Sequence, residues 1–553
     1  MTKSMSELEN ARAEYKPAVP AMLENGVDHI GIEEGEPTTS LADQEEVKEK
    51  FPETWGHPRI TFVKGDGLKD KKPLKVGVVL SGGQAPGGHN VITGIFDGIR
   101  AIHPESKLYG FLGGPRGIFT ENYEELTAEK IAPYRNTGGF DMIGSGRDKI
   151  ESPEHLAASK EACEKIGLDA LVIIGGDDSN TNAAVLAEYF EQQKVNTSVI
   201  GVPKTIDGDL KNESVEVSFG FDTASKVYSE LIGNICRDSK SARKYWHFVK
   251  LMGRNASHVT LECALQTHPN ITLIGEEVNQ KNMTLAEIVR HVANVVRRRA
   301  EEGKNFGVCL VPEGLIEFIP EIRALIGELN EILAKHDAYF KTIKMFSDQQ
   351  EFVSQKLSRD SSYVFSSLPA RIQQQLLYDR DSHGNVQVSK IETEKLIIEQ
   401  VSELLAEWKA EGKFEGKFST QSHFLGYEGR CAIPSNFDAN YTYTLGQTAA
   451  ALIAFGKTGY MCCVGSLTSD VKDWKPGGVP ITSLLNMETR KGKRKPVIKK
   501  ALVELDSEPF RVFEKERKAW ETEDDYVYPG AIQYFGPSEV SDAPSKTLIL
   551  EQK

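Results

Sequence analysis

Residues 75–90 read KVGVVLSGGQAPGGHN, and the order of features within them decides the fold. KVGVVL (75–80) is a short, β-rich apolar run of the kind a buried strand shows. LSGGQAPGGHN (80–90) follows at once, with four glycines in seven positions, and opens a helix-like stretch at 89–102. Glycines let a backbone approach a ligand closely, and a helix N-terminus offers free N–H groups and the positive end of a dipole. The combination reads as a phosphate cradle. A plain strand-to-helix turn needs only one or two glycines. The pattern is neither GxxxxGKT nor GxGxxG. The chain's one GKT, Gly456–Thr458, lacks the upstream glycine at Ala451 and follows an apolar helix-like run, so it is a chance match.

Working outward, KLYGFL (107–112), ALVIIGG (170–176) and TSVIGVP (197–203) read as further strands, with helical stretches at 154–166 and 179–193. Strands alternating with helices imply βαβ units and a parallel sheet. A second set follows: WHFVKLMG (246–253), ITLIGE (271–276) and NFGVCLVPEG (305–314) as strands, and an amphipathic helix over 283–302. The fold class is therefore α/β, with two Rossmann-like domains. The expected division is an N-terminal extension (1–70), one α/β domain (71–240) and a second (241–320 with 420–485). A helical insertion (321–419) and a C-terminal tail (486–553) complete it. The basic run KGKRKPVIKK (491–500) reads as a solvated surface segment.

At 553 residues the chain needs more than one core. Its net charge of −14 argues against a nucleic-acid partner, though an anionic substrate can still meet a locally basic site. Seven cysteines show neither zinc-ligand nor disulfide-framework spacing, which reads as reduced thiols in the cytoplasm. The first twenty residues carry no secretory pattern, and no apolar run reaches the ~20 residues of a membrane span, so no membrane partner is expected.

Two more loops sit at predicted strand ends, where open α/β sheets bind ligands. In GGDDSN (175–180), Asp177 and Asp178 offer hard oxygen ligands for Mg2+, or else cap the following helix. In GVPKTIDGDLKN (201–212), a carboxylate can take a proton from an attacking hydroxyl while Lys204 neutralises phosphate charge. Three such loops at successive strand ends are not explained together as ordinary turns.

GGxAPGxN, GGDxS and PxTIDxD in combination resemble the phosphofructokinase family, over about 75–320 and 420–500. The length resembles its pyrophosphate-dependent branch. In ATP-dependent members Gly follows GGD and Gly precedes TID; here those positions hold Asp178 and Lys204. A carboxylate at 178 would repel a nucleotide α-phosphate, and Lys204 would hold a bridging or leaving phosphate. Gln84 and the extra Gly88 also depart from the ATP-type GGDAPGMN.

The resemblance implies reversible phosphoryl transfer from pyrophosphate to the C1 hydroxyl of fructose 6-phosphate, with Mg2+ as cofactor. Asp207 would be the general base and Asp209 would help position the base or the metal, with Thr205 and Ile206 lining the sugar site. Gly82 would contact pyrophosphate, Arg147 would steady the transferring phosphoryl group, and Asp177 would bind the metal. In LMGRNAS and VPEG, Met252, Gly253, Arg254 and Glu313 would contact the sugar. LGYEGR would hold its 6-phosphate through Tyr427, Glu428, Gly429 and Arg430. Lys244 and Tyr245 would reach a neighbouring subunit's site, implying a homodimer. The blander readings make Arg254 and Glu313 a structural ion pair and Tyr427 a core residue. The rival functions are an ATP-dependent phosphofructokinase, a catalytically silent sugar-phosphate-binding regulatory subunit, and a nucleotide-binding kinase sharing only GGD. Asp178 and Lys204 argue against the first; Asp177, Thr205, Asp207 and Arg254 argue against the second; the TIDGD and MGR loops argue against the third.

Overall fold

The computed structural model describes residues 6–65, 67–68, 71–380, 385–490, 493–532 and 537–552. Lys491 and Gly492 of the basic run, and the first five residues of the extension, lie outside the described residues.

Two compact units emerge. The first comprises Met1–Val227, Tyr427–Ala501 and Ile532–Gln552. Its sheet is built on β3 (Lys75–Leu80), β4 (Lys107–Phe111), β6 (Ala170–Gly175) and β7 (Ser198–Thr205). These are parallel neighbours in the order β7-β6-β3-β4. Helices separate them in sequence: Gly88–Ile102 after β3, Pro153–Ile166 before β6 and Asp177–Gln192 after it. β3 is buried beyond its first residue and β6 throughout, which is why their sequences are nearly unbroken Val, Ile and Leu. β5 (Tyr123–Glu125) closes one edge antiparallel to β4. On the other side β13 (Tyr460–Gly465) pairs parallel to β7, and β14 (Lys475–Pro480) pairs antiparallel to β13. The N-terminal strands β2 (Pro58–Lys64) and β1 (Ile30–Pro37) extend the sheet from β14. A two-residue strand, β8 (Phe219–Gly220), adds to the end of β7.

The second unit comprises Tyr228–Gly426 and Leu502–Ala531. It holds an all-parallel sheet in the order β10-β11-β9-β12. The strands are β9 (Trp246–Leu251), β10 (Ile271–Thr272), β11 (Gly307–Pro312) and β12 (Thr420–Leu425). Among the described residues, five helices between Pro320 and Ala410 share one apolar core with β9, β11 and the helix Leu285–Glu301. Thr284 opens that last helix with a reciprocal capping box to Glu287.

Four sequence expectations differ from the structure. Segment 420–485 does not belong whole to the second unit, because 427–501 falls in the first. The cause is a close helix pair: a Cβ on Gly446 would lie 2.8 Å from the Cα of Gly94, and one on Gly98 would meet Ala450. Helix Asn436–Ala454 thus lies against helix Gly88–Ile102, and β13 and β14 follow it into the larger sheet. The same partition moves the first boundary from 240 to 227, inside helix Phe221–Ala242. ITLIGE is a strand only at Ile271–Thr272; Gly275 begins a helix with its Cα against the Phe318 ring. Lastly, the basic run is not simply a solvated segment. It forms β16 (Lys493–Ile498), antiparallel to β15 (Leu485–Arg490), with Val497 and Ile498 buried.

Candidate active site

In the first unit the three loops converge at the C-terminal ends of β3, β6 and β7. Gly82, at φ +88°, turns the chain out of β3, and its N–H donates to Gly146 O at 2.8 Å. Ser81 forms a bridge with the same residue. The Gly144–Arg147 loop is thereby laced to the glycine turn. A Cβ on Gly82 would sit 3.1 Å from Lys204 Nζ. One on Gly83 would run into the Arg430 guanidinium and come within 3.6 Å of Arg147. Gly82 is required by its left-handed φ, and three cationic side chains approach the two glycines of the turn. Gly87 and Gly88 do something else. Side chains there would strike Thr442 and the Phe140 ring, and Gly87, at φ +103°, turns the chain into helix Gly88–Ile102.

The second loop is pinned from behind. Asn180 donates its side-chain amide to Gly175 O (2.6 Å), Gly176 O (2.9 Å) and Val202 O (3.3 Å), tying the GGDD turn to β7. Ser179 donates to Ser81 at 2.8 Å. Gly176 is the N-cap of helix Asp177–Gln192, so Asp177 and Asp178 occupy its first turn, where negative charge is stabilised by the macrodipole. Each has a lysine nearby. Lys500 lies 3.6 Å from Asp177 and Lys149 lies 3.5 Å from Asp178. Neither lysine was singled out by sequence. Lys149 stands two residues beyond Arg147, and Lys500 ends the basic run whose sequence reads as a surface segment.

Lys204 is 6% exposed at the end of β7. Burial, then the Arg430 and Arg147 charges, push its ammonium down to about 8, while Asp207 and Asp177 hold it up. Asp207 is also buried, and its N–H donates to Thr205 Oγ1 at 3.1 Å. Its Oδ1 is enclosed and has no hydrogen-bond partner among the described residues. A buried carboxylate oxygen left open in this way is costly unless a ligand completes it. Ile206 and Asp209 are buried beside it, and Thr205 O accepts from Ser218 at 3.0 Å. The dismissed GKT has structural partners instead: Lys457 pairs with Glu34, and Thr458 accepts the Val199 N–H.

The sequence reading put Arg430 on the sugar 6-phosphate, yet its guanidinium lies at the Gly83 turn. Tyr427 is 72% exposed, which rules out a core role, and Arg430 lies 5.9 Å from its ring centre. Glu428 is exposed and Gly429 buried.

In the second unit, β9 ends at Leu251 and the chain turns through Gly253 at φ +134°. Gly253 N–H donates to the buried Glu313 carboxylate at 2.9 Å, and Glu313 N–H returns to Leu251 O at 2.9 Å. Met252 is buried and its N–H donates to Leu425 O at 3.1 Å. Arg254 is exposed. Lys244 is exposed and Tyr245 is half-buried, edge-on to His247.

The family model for phosphofructokinase matches residues 75–453. The chain belongs to the phosphofructokinase family. Among its relatives within the family, a pyrophosphate–fructose 6-phosphate 1-phosphotransferase of Porphyromonas gingivalis is 56% identical over 547 residues, 99% of each chain. One of the same description from Treponema pallidum is 54% identical, over 99% of this chain and 97% of that one. A solved pyrophosphate-dependent phosphofructokinase from Nitrosospira multiformis shares the fold at a TM-score of 0.54 and 15% identity, covering 86% of this chain and 97% of that one.

No group of three or more His, Cys, Asp or Glu side chains among the described residues forms a metal cage. The donor set still suits Mg2+, which keeps its waters and is held by one or two carboxylates plus substrate phosphates. Asp177, partly exposed at a helix start between two cations, is a fitting carboxylate.

Proposed function

We propose that this chain transfers a phosphoryl group reversibly from pyrophosphate to the C1 hydroxyl of fructose 6-phosphate, giving fructose 1,6-bisphosphate and phosphate. The observation that carries the donor assignment is Lys204, buried, at the Gly82 turn and flanked by Arg147 and Arg430. Three cations at one tight turn suit a small, highly charged donor. A nucleotide diphosphate tail would need open space where Asp178 places a carboxylate. The relatives' shared description supports the same reading.

Each residue then has a task. Asp207 uses its open Oδ1 to accept the C1 hydroxyl proton as oxygen attacks phosphorus. Thr205 holds the backbone of that loop. Lys204 and Arg430 bind the donor's charge, Arg147 steadies the group in transit, and Gly82 and Gly83 keep the backbone out of the way. Asp177 would hold Mg2+, which when bound neutralises donor oxygens and so assists in-line displacement. Met252, Gly253, Arg254 and Glu313 are assigned to the sugar, along with Tyr427, Glu428 and Gly429. Asp209 keeps the Asp207 loop in shape. Catalysis comes mainly from positioning and electrostatics. The reading includes a cytoplasmic homodimer, with Lys244 and Tyr245 serving the neighbouring subunit. No helix among the described residues is long and apolar enough to cross a membrane.

The test is initial rate with fructose 6-phosphate and Mg2+, comparing pyrophosphate with ATP on one preparation. Strong pyrophosphate turnover with negligible ATP turnover is expected. The reverse preference overturns the roles of Asp178 and Lys204. No turnover with either donor favours the regulatory-subunit reading.

A further inference from the structure

Lys500 lies 323 residues beyond Asp177 in sequence, at the end of the basic run that reads as a solvated segment. The structure carries it there by the β15–β16 ribbon, and hydrogen bonds from three backbone N–H groups fix the path. Ile498 N–H donates to Thr181 Oγ1 at 3.2 Å, Lys499 N–H to Leu484 O at 3.4 Å and Ala501 N–H to Asp209 O at 2.8 Å. Thr181 belongs to the helix that Asp177 begins, and its hydroxyl donates to Asp177 O at 2.9 Å. Asp209 belongs to the Asp207 loop. A four-residue stretch is therefore stitched at one end to the metal-ligand helix and at the other to the catalytic loop. Lys500 stands between these stitches, and its ammonium lies 3.6 Å from the Asp177 carboxylate.

That contact is an ion pair without a hydrogen bond, and both side chains are partly exposed, 31% for Lys500 and 20% for Asp177. Such pairs are weak, so an arriving anion can take over the lysine at small cost. Lysine is also a mobile point charge on a flexible stem, able to shift between acceptors. Pyrophosphate brings several negative charges to a site that already contains Asp177 and Asp207. A cation beside Asp177 stands where donor oxygens must come if that carboxylate holds their metal. We propose that Lys500 is a further donor-binding residue: it pairs with Asp177 in the ligand-free protein and moves onto a phosphate oxygen when pyrophosphate binds. This rests on the pyrophosphate reading above. It gives the C-terminal ribbon a role in donor binding and not merely in packing.

The experiment compares the full-length wild type with Lys500→Met, Lys500→Arg and, as a control on the same ribbon, Lys495→Met. Lys495 pairs with Glu151 instead. Steady-state constants for both substrates are measured, together with magnesium pyrophosphate binding by calorimetry. Lys500→Met is expected to raise both the KM and the Kd for pyrophosphate about tenfold, the scale of one charge-assisted hydrogen bond. KM for fructose 6-phosphate should stay unchanged, Lys500→Arg should recover most of the loss, and Lys495→Met should match wild type. Should Lys500→Met fail to fold, Lys500→Gln serves in its place. Unchanged pyrophosphate Kd in Lys500→Met, or equal losses for both substrates, overturns the inference alone. Wild type that neither binds nor uses pyrophosphate sinks the underlying reading, and this inference with it.

Discussion

The two units build their loops by different physics. In the first, the loops after β3, β6 and β7 gather charge: a buried lysine, two arginines and two aspartates around a glycine turn. In the second, the loop after β9 spends its buried carboxylate on the backbone, since Glu313 accepts the Gly253 N–H. One region concentrates buried charge at a glycine turn; the other satisfies its buried carboxylate within the backbone. Substitutions in the first should therefore alter donor chemistry, sometimes with a gain in stability. Those in the second should cost stability and acceptor affinity together.

The largest effect that could break this contrast is Asp207→Ala. Loss of the proposed base is expected to lower kcat by about 10²–10⁴ with the fold intact; rates within tenfold of wild type would refute its role. Next, Lys204→Met should lower kcat/KM for pyrophosphate by about 10²-fold, leave KM for fructose 6-phosphate alone, and raise the melting temperature by removing a buried charge. The paired change Asp178→Gly with Lys204→Gly should let ATP compete as donor, read as the ratio of the two initial rates. Glu313→Ala should show the opposite profile. Leaving the Gly253 N–H unsatisfied is expected to cost about 1–3 kcal/mol in denaturant unfolding. KM should rise for the sugar phosphate and not for pyrophosphate.

A smaller effect is the pH dependence. The Lys204 ammonium is lowered from 10.5 to about 8 in the folded protein. Between those values the unfolded chain binds the extra proton, so this group's contribution to stability rises with pH across that window. The melting-temperature gap between Lys204→Met and wild type should narrow there. KM for pyrophosphate in wild type should climb above about pH 8 as Lys204 loses its charge, and a flat profile would argue that bound donor never meets this ammonium. Gly446→Ala, at the close helix pair, should cost about 1–3 kcal/mol through overpacking without changing donor preference.

What the sequence determined by itself was local. Strand-then-glycine-then-helix order, the adjacent aspartates at 177–178 and the KTIDGD run each fall within a dozen residues. Their chemistry follows from residue types and from the rule that loops at the C-terminal strand ends meet ligands. Four glycines in a row of seven looked alike, though, and only packing separated Gly82 and Gly83, which face cations, from Gly87 and Gly88, which face Phe140 and Thr442. Tertiary structure also decided which sheet β13 and β14 joined, because strand pairing depends on which edge is open and not on neighbours in the chain. It placed Arg430 at the glycine turn and Lys500 at Asp177. Charges brought together from hundreds of residues apart leave no periodic or spacing signal, since nothing in the intervening chain must change to allow the contact.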